Sequence, residues 1–97
     1  MEDIVKQINK NQMVKDMKEL ETFWNKRAKQ VLLGKTIVSV NYMTQKDAND
    51  LGWYKRPILF KLSDGTICYL SCDDEGNDGG ALFFTDKNGK HDELPVL

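Results

Sequence analysis

The stretch that decides the fold is Pro57-Ile58-Leu59-Phe60-Lys61-Leu62, then Ser63-Asp64-Gly65, then Thr66-Ile67-Cys68-Tyr69-Leu70. Two short runs rich in β-branched and aromatic residues flank an Asp-Gly pair, which is among the strongest short-range signals of a β-hairpin. With Asp64-Gly65 as a two-residue turn, Leu62 faces Ile67, Phe60 faces Tyr69 and Ile58 faces Ser71, so one face of the hairpin is apolar. An antiparallel sheet with a buried side is the expected result.

Toward the C-terminus the pattern repeats. Ala81-Leu82-Phe83-Phe84-Thr85 and the tail to Leu97 flank Asn88-Gly89, a second hairpin signal that sets Phe83 opposite Leu94, Ala81 opposite Val96 and His91 opposite Asp86. Pro95 has no N–H to give a ladder and belongs at an edge or an exit. Toward the N-terminus, Ile37-Val38-Ser39-Val40-Asn41-Tyr42-Met43 reads as a strand. The run from Thr44 to Gly52 reads as a short helix, with an N-cap threonine, Asp47 in a weak capping-box position and a closing glycine.

From about Asp3 to Leu33 there is no Gly or Pro, and Met13, Met17, Leu20, Trp24, Ala28 and Val31 recur at spacings of four, three, four, four and three. That is helical periodicity, with Gly34 placed to end the helix in a left-handed cap. Asn9 and Asn11 weaken residues 1–12, where Ile4, Val5 and Ile8 leave an apolar edge. The plain reading of the stripe is that it covers a sheet; a protruding arm would instead form a homodimer through Met13, Met17, Leu20 and Trp24. The fold class expected is therefore α+β: a helical arm, residues 1–34, on a strongly bent antiparallel sheet of about five strands, residues 35–97, resembling a small SH3-like barrel.

Composition agrees with one small globular domain: 97 residues, 40% hydrophobic and 30% charged. Apolar runs such as Val31 to Leu33 and Ala81 to Phe84 fall far short of the roughly 20 residues that cross a bilayer. The acidic start Met1-Glu2-Asp3 has no basic n-region, so the cytoplasm is the expected compartment. Residues 1–35 hold eight Lys and Arg against five acids, and residues 36–97 hold six against ten. Because the basic residues of the helix are interleaved with Asp16, Glu19 and Glu21, the chain lacks the dense one-signed patch that nucleic acid demands.

Few residues carry chemistry. Cys68 and Cys72, on one extended segment, would stand about 13 Å apart, beyond the reach of about 7 Å that a disulfide allows. Both are expected as small, reduced core residues, and with one histidine in the chain no zinc set can be assembled. Asp73-Asp74-Glu75-Gly76-Asn77-Asp78-Gly79-Gly80 crowds four carboxylates and an amide into six residues, which requires solvent, a cation, or backbone N–H groups and an arginine as partners. The spacing is not that of an EF-hand loop, so no metal ligand and no cofactor are assigned, and Arg56 is the expected partner of a loop carboxylate. Leu51-Gly52-Trp53-Tyr54-Lys55-Arg56-Pro57 supplies residue types enriched at binding hot spots; Trp53 either plugs the open end of the barrel or joins a binding surface.

The pieces Leu51-Gly52-Trp53, Arg56-Pro57, Leu62-Ser63-Asp64-Gly65-Thr66 and Asp73-Asp74-Glu75-Gly76-Asn77-Asp78-Gly79-Gly80-Ala81-Leu82-Phe83 resemble a small, functionally uncharacterised family of bacterial and phage proteins with an Asp-Asp-Glu-Gly-Asn loop. The resemblance covers about residues 35–85 and implies a discrete domain, with no activity or ligand to carry over. The sequence lacks a nucleophile elbow and a phosphate-binding loop, so the expectation is a non-catalytic protein-interaction module, a phage or bacterial regulator that binds a cellular protein. Its expected partner-binding residues are Trp53, Tyr54, Arg56, Asp73, Asp74, Glu75, Asn77 and Asp78. The alternative is a divalent-metal-binding domain or a carboxylate-based hydrolase using the Asp73–Asp78 loop.

Overall fold

The computed structural model describes residues 10–97, with side chains from residue 16 onward. The segment carrying Ile4, Val5 and Ile8 lies outside the described residues, as does the side chain of Met13. The chain divides into two compact units that part between Gly34 and Lys35.

The first unit is built on helix α1, Lys10–Leu32. Its residues contain no glycine or proline, so nothing interrupts the i to i−4 ladder. The ladder closes where the Leu33 N–H donates to the Lys29 carbonyl at 2.9 Å, and Gly34, with φ +76°, turns the chain out of the helix.

The second unit runs in the order β1 (Ile37–Tyr42), α2 (Gln45–Leu51), β2 (Ile58–Leu62), β3 (Ile67–Tyr69), β4 (Leu82–Thr85) and β5 (His91–Leu94). The class is α+β. The strands form two antiparallel sheets, β1-β2-β3 and β4-β5, instead of one bent five-stranded sheet, and among the described residues they do not close into a barrel. Helix α2 is bounded as its caps dictate: the Thr44 hydroxyl accepts the Asp47 N–H, and Gly52 at φ +75° donates to the carbonyls of Ala48 and Asn49.

Both hairpins differ by one residue from the pairing that a two-residue turn imposes. Leu59 stands opposite Tyr69, Phe60 opposite Cys68 and Lys61 opposite Ile67. In the second hairpin Leu82 faces Leu94, Phe83 faces Glu93 and Thr85 faces His91. The reason is local. A type I′ turn needs positive φ at both central residues, and every positive-φ residue of the described chain is a glycine, so Asp64 and Asn88 do not supply it. Three-residue loops form instead, ending in Gly65 (φ +93°) and Gly89 (φ +82°). Aspartates fasten them: the Asp64 carboxylate accepts the Thr66 N–H at 3.0 Å and pairs with Lys35 at 2.6 Å, while Asp86 accepts the N–H groups of Asn88 and Lys90.

A one-residue shift decides which side chains share a face. Ile58 and Leu62 are buried on one side of β2, and Leu59 on the other packs against a buried cluster of Met43, Ala48 and Trp53. Helix α2 thus covers the Leu59 face, with Met43 leading into it from β1. The C-terminus is tied in by paired backbone bonds between Arg56 and Leu97 at 2.9 and 3.0 Å.

Candidate functional site

The acidic segment is a folded loop. The Asp73 carboxylate accepts the side-chain amide of Asn77 at 2.7 Å and the backbone N–H groups of Glu75 and Asn77 at 3.0 and 3.2 Å, a cage that closes the turn on itself. These donors, the Asn77 amide foremost, hold the Asp73 carboxyl below its ordinary range. Gly76, at φ +75°, presents its carbonyl to the indole N–H of Trp53 at 2.6 Å.

Asp78 reaches across to the segment before β2. Its Oδ1 accepts the N–H groups of Lys55 at 2.9 Å, Tyr54 at 3.2 Å and Gly79 at 2.8 Å. The Lys55 amide is the largest cause of its lowered pKa, opposed by partial desolvation and aided by the other two amides. Behind it the loop is zipped by the Cys72 N–H on the Asp78 carbonyl and the Gly80 N–H on the Leu70 carbonyl. A Cβ at Gly79 would lie 2.6 Å from the Lys55 carbonyl, and one at Gly80 2.7 Å from that of Ser71. The two glycines are there because backbone passes against backbone.

The arginine pairing expected from sequence does not form. Arg56 is half-buried, and its Nη1 donates to the Met43 carbonyl at 3.5 Å; the ion pairs among the described residues are Lys35 with Asp64 and Lys46 with Asp50. Backbone N–H groups satisfy Asp78 where a guanidinium was anticipated. Trp53, 5% exposed, belongs to the core, so its ring plugs the unit and does not offer a surface. Tyr54 beside it is 91% exposed. Asp73, Asp74, Glu75 and Asn77 are exposed too, with the Asn77 amide donating to Asp73. Of the residues expected to bind a partner, Tyr54, Asp73, Asp74, Glu75 and Asn77 are exposed, held in place by Trp53, Asp78 and the hydrogen bonds of Asp73 and Asn77.

The remaining chemistry-bearing residues do not converge. Cys68 is half-buried and Cys72 exposed, both unbonded, so the expected core position fails for Cys72. His91 meets Thr85 at 2.7 Å across exposed strands, not Asp86, because of the shifted register. No group of three or more His, Cys, Asp or Glu is placed to hold a metal ion among the described residues. On α1, Met17, Leu20 and Trp24 are exposed, as is Phe23, whose ring meets Trp24 edge-on at 5.2 Å.

One feature of the surface had no sequence signal. Met43, Leu51, Leu59, Ile67 and Tyr69 line an open apolar groove of about 310 Å³ with Asp47 and Asp50 at its margin. It exists because Tyr69 lies beside Leu59, a neighbour that the two-residue turn would have denied it. Comparison with protein-family models, curated proteins and solved structures finds no match to this chain.

Proposed function

We propose that the chain is a non-catalytic protein-interaction module whose second unit presents Tyr54, Asp74 and Glu75 to a protein partner. The observation that supports this reading most is the wiring of the loop: Trp53 to Gly76, and Asp78 to the amides of Tyr54 and Lys55, order a ten-residue surface before anything binds. Pre-ordering lowers the entropic cost of association, and an exposed tyrosine on such a scaffold is an effective anchor. The exposed apolar residues of α1 add a second contact surface consistent with the same role. The resemblance to bacterial and phage proteins suggests a regulator of a cellular protein, acting in a reducing compartment where Cys72 stays a thiol. A metal-dependent hydrolase is the weaker reading, since both Asp73 oxygens accept N–H groups of the loop and Oδ1 of Asp78 accepts those of Tyr54, Lys55 and Gly79.

Affinity capture from a bacterial lysate with wild-type chain, Tyr54→Ala and the pair Asp74→Asn, Glu75→Gln tests this. The expected result is a partner held by wild type and weakened on the order of tenfold or more by Tyr54→Ala, at unchanged melting temperature. A Tyr54→Ala chain that retains the partner as well as wild type refutes the assignment of this surface.

A further inference from the structure

The groove and the strand beside it specify a partner chemistry. Strand β3 is the edge of its sheet, with β2 on one side and no strand on the other among the described residues. The Leu62 N–H bonds the Thr66 carbonyl at 2.8 Å. The alternation of an antiparallel ladder then points the backbone groups of Cys68 at Phe60 and turns those of Ile67 and Tyr69 outward, away from β2. The side chains of the same two residues, 54% and 46% exposed, form the outer wall of the apolar groove over Leu59 and Met43. Free strand edges are templates for pairing unless charge, proline or a covering element blocks them, and Ile67-Cys68-Tyr69 carries none of the first two.

Charge decides what fits. Asp47 and Asp50, both exposed, stand at the groove's margin on α2; among the described residues Asp50 pairs with the solvent-exposed Lys46, at 3.1 Å. Lys61 stands opposite Ile67 in the ladder and is not among the residues that line the groove. Residues 35–97 carry seven Lys and Arg against ten Asp and Glu, which gives the whole unit a field that favours cations. A second copy pairing edge to edge would bring two acidic units together.

We propose that β3 accepts an extended basic segment of a partner protein as an added strand, with an apolar side chain seated in the groove and a Lys or Arg meeting Asp47 and Asp50. Main-chain bonds to Ile67 and Tyr69 supply the affinity, and the groove with its carboxylates supplies the selection, the usual division of labour in strand addition. This rests on the interaction-module reading and names its partner's chemistry.

The test uses the full chain, labelled for amide NMR, and three short synthetic peptides: alternating valine and lysine, the same with glutamate for lysine, and the valine-lysine peptide N-methylated at alternate amides. The valine-lysine peptide is expected to give saturable shifts at Ile67 and Tyr69 that weaken as salt rises, and that weaken roughly fivefold to tenfold in the Asp47→Asn, Asp50→Asn chain. Glutamate and N-methylated peptides are expected to give none. Equal binding by the N-methylated peptide overturns strand addition, and equal binding by the double variant overturns the assignment of a basic partner to Asp47 and Asp50. A dimer of the unliganded chain in sedimentation that Ile67→Lys dissociates assigns the edge to a second copy and also overturns it. Absence of peptide binding, with Tyr54→Ala still losing its captured partner, sinks the edge proposal alone; a Tyr54→Ala chain that keeps its partner sinks the reading beneath it.

Discussion

Asp78 illustrates how a carboxylate becomes structural without a counter-ion. Three backbone N–H groups converge on one of its oxygens, and two of them belong to a segment more than twenty positions earlier in the chain, so the side chain staples the loop to the entry of β2. Such donors favour the ionised form, which is why the folded-state pKa falls below the ordinary 3.8. On acidification the unfolded chain therefore takes up the proton first. The stabilisation is complete above about pH 5 and declines as pH drops through 3.8 toward the lowered folded value. Asp73, held down chiefly by the Asn77 amide, and Asp64, held down chiefly by Lys35, act in the same direction. Asp78→Asn is expected to flatten this acid limb and to lower the melting temperature at pH 7 by several degrees, whereas Asp74→Asn leaves the melting temperature at pH 7 unchanged; thermal melts between pH 2.5 and 7 check both.

At the scale of elements the two hairpins make the same choice for the same reason. Asp and Asn tolerate the left-handed region better than other L-residues, but a two-residue type I′ turn would require it at Asp64 or Asn88 as well as at the glycine that follows, and here the Asp64 and Asp86 carboxylates instead accept the N–H groups of a longer turn. The three-residue loop confines positive φ to Gly65 and Gly89. Gly65→Ala is consequently expected to cost about 1–2 kcal/mol, even though a Cβ there would meet nothing within 4 Å. Urea denaturation checks this, and a variant as stable as wild type would show that the turn can relax into another form. The pairing of Tyr69 with Leu59 is a consequence of this turn, and with it the groove on that face.

At the scale of the molecule the division between Gly34 and Lys35 separates a helix from a self-contained set of strands. The buried cluster of Met43, Ala48 and Trp53, the loop wiring and the Arg56–Leu97 backbone pair all lie within residues 35–97. A fragment of residues 35–97 is therefore expected to melt cooperatively and to reproduce the amide shifts of the loop Ser71–Gly80 in the full chain. A non-cooperative melt would show that the first unit supplies part of the core.

Much of the architecture could be read from local chemistry alone. Gly34 and Gly52 end helices because only a residue without Cβ enters the left-handed region freely, Thr44 starts α2 through its own hydroxyl, and the β-branched runs mark β1 to β3. Each of these acts within a few residues of itself. The destination of the loop carboxylates was not legible, because Asp78 bonds amides 23 and 24 positions away and Trp53 bonds a carbonyl 23 positions on. Sequence could say that the charges at 73–78 needed donors; only the folded backbone could say that amides, and not Arg56, provide them. The same holds for the division of five strands into two sheets and for the groove beside β3. A hairpin's existence is written in its residue types, but its register depends on one turn's φ angles, and which face then meets α2 depends on contacts that no local pattern contains.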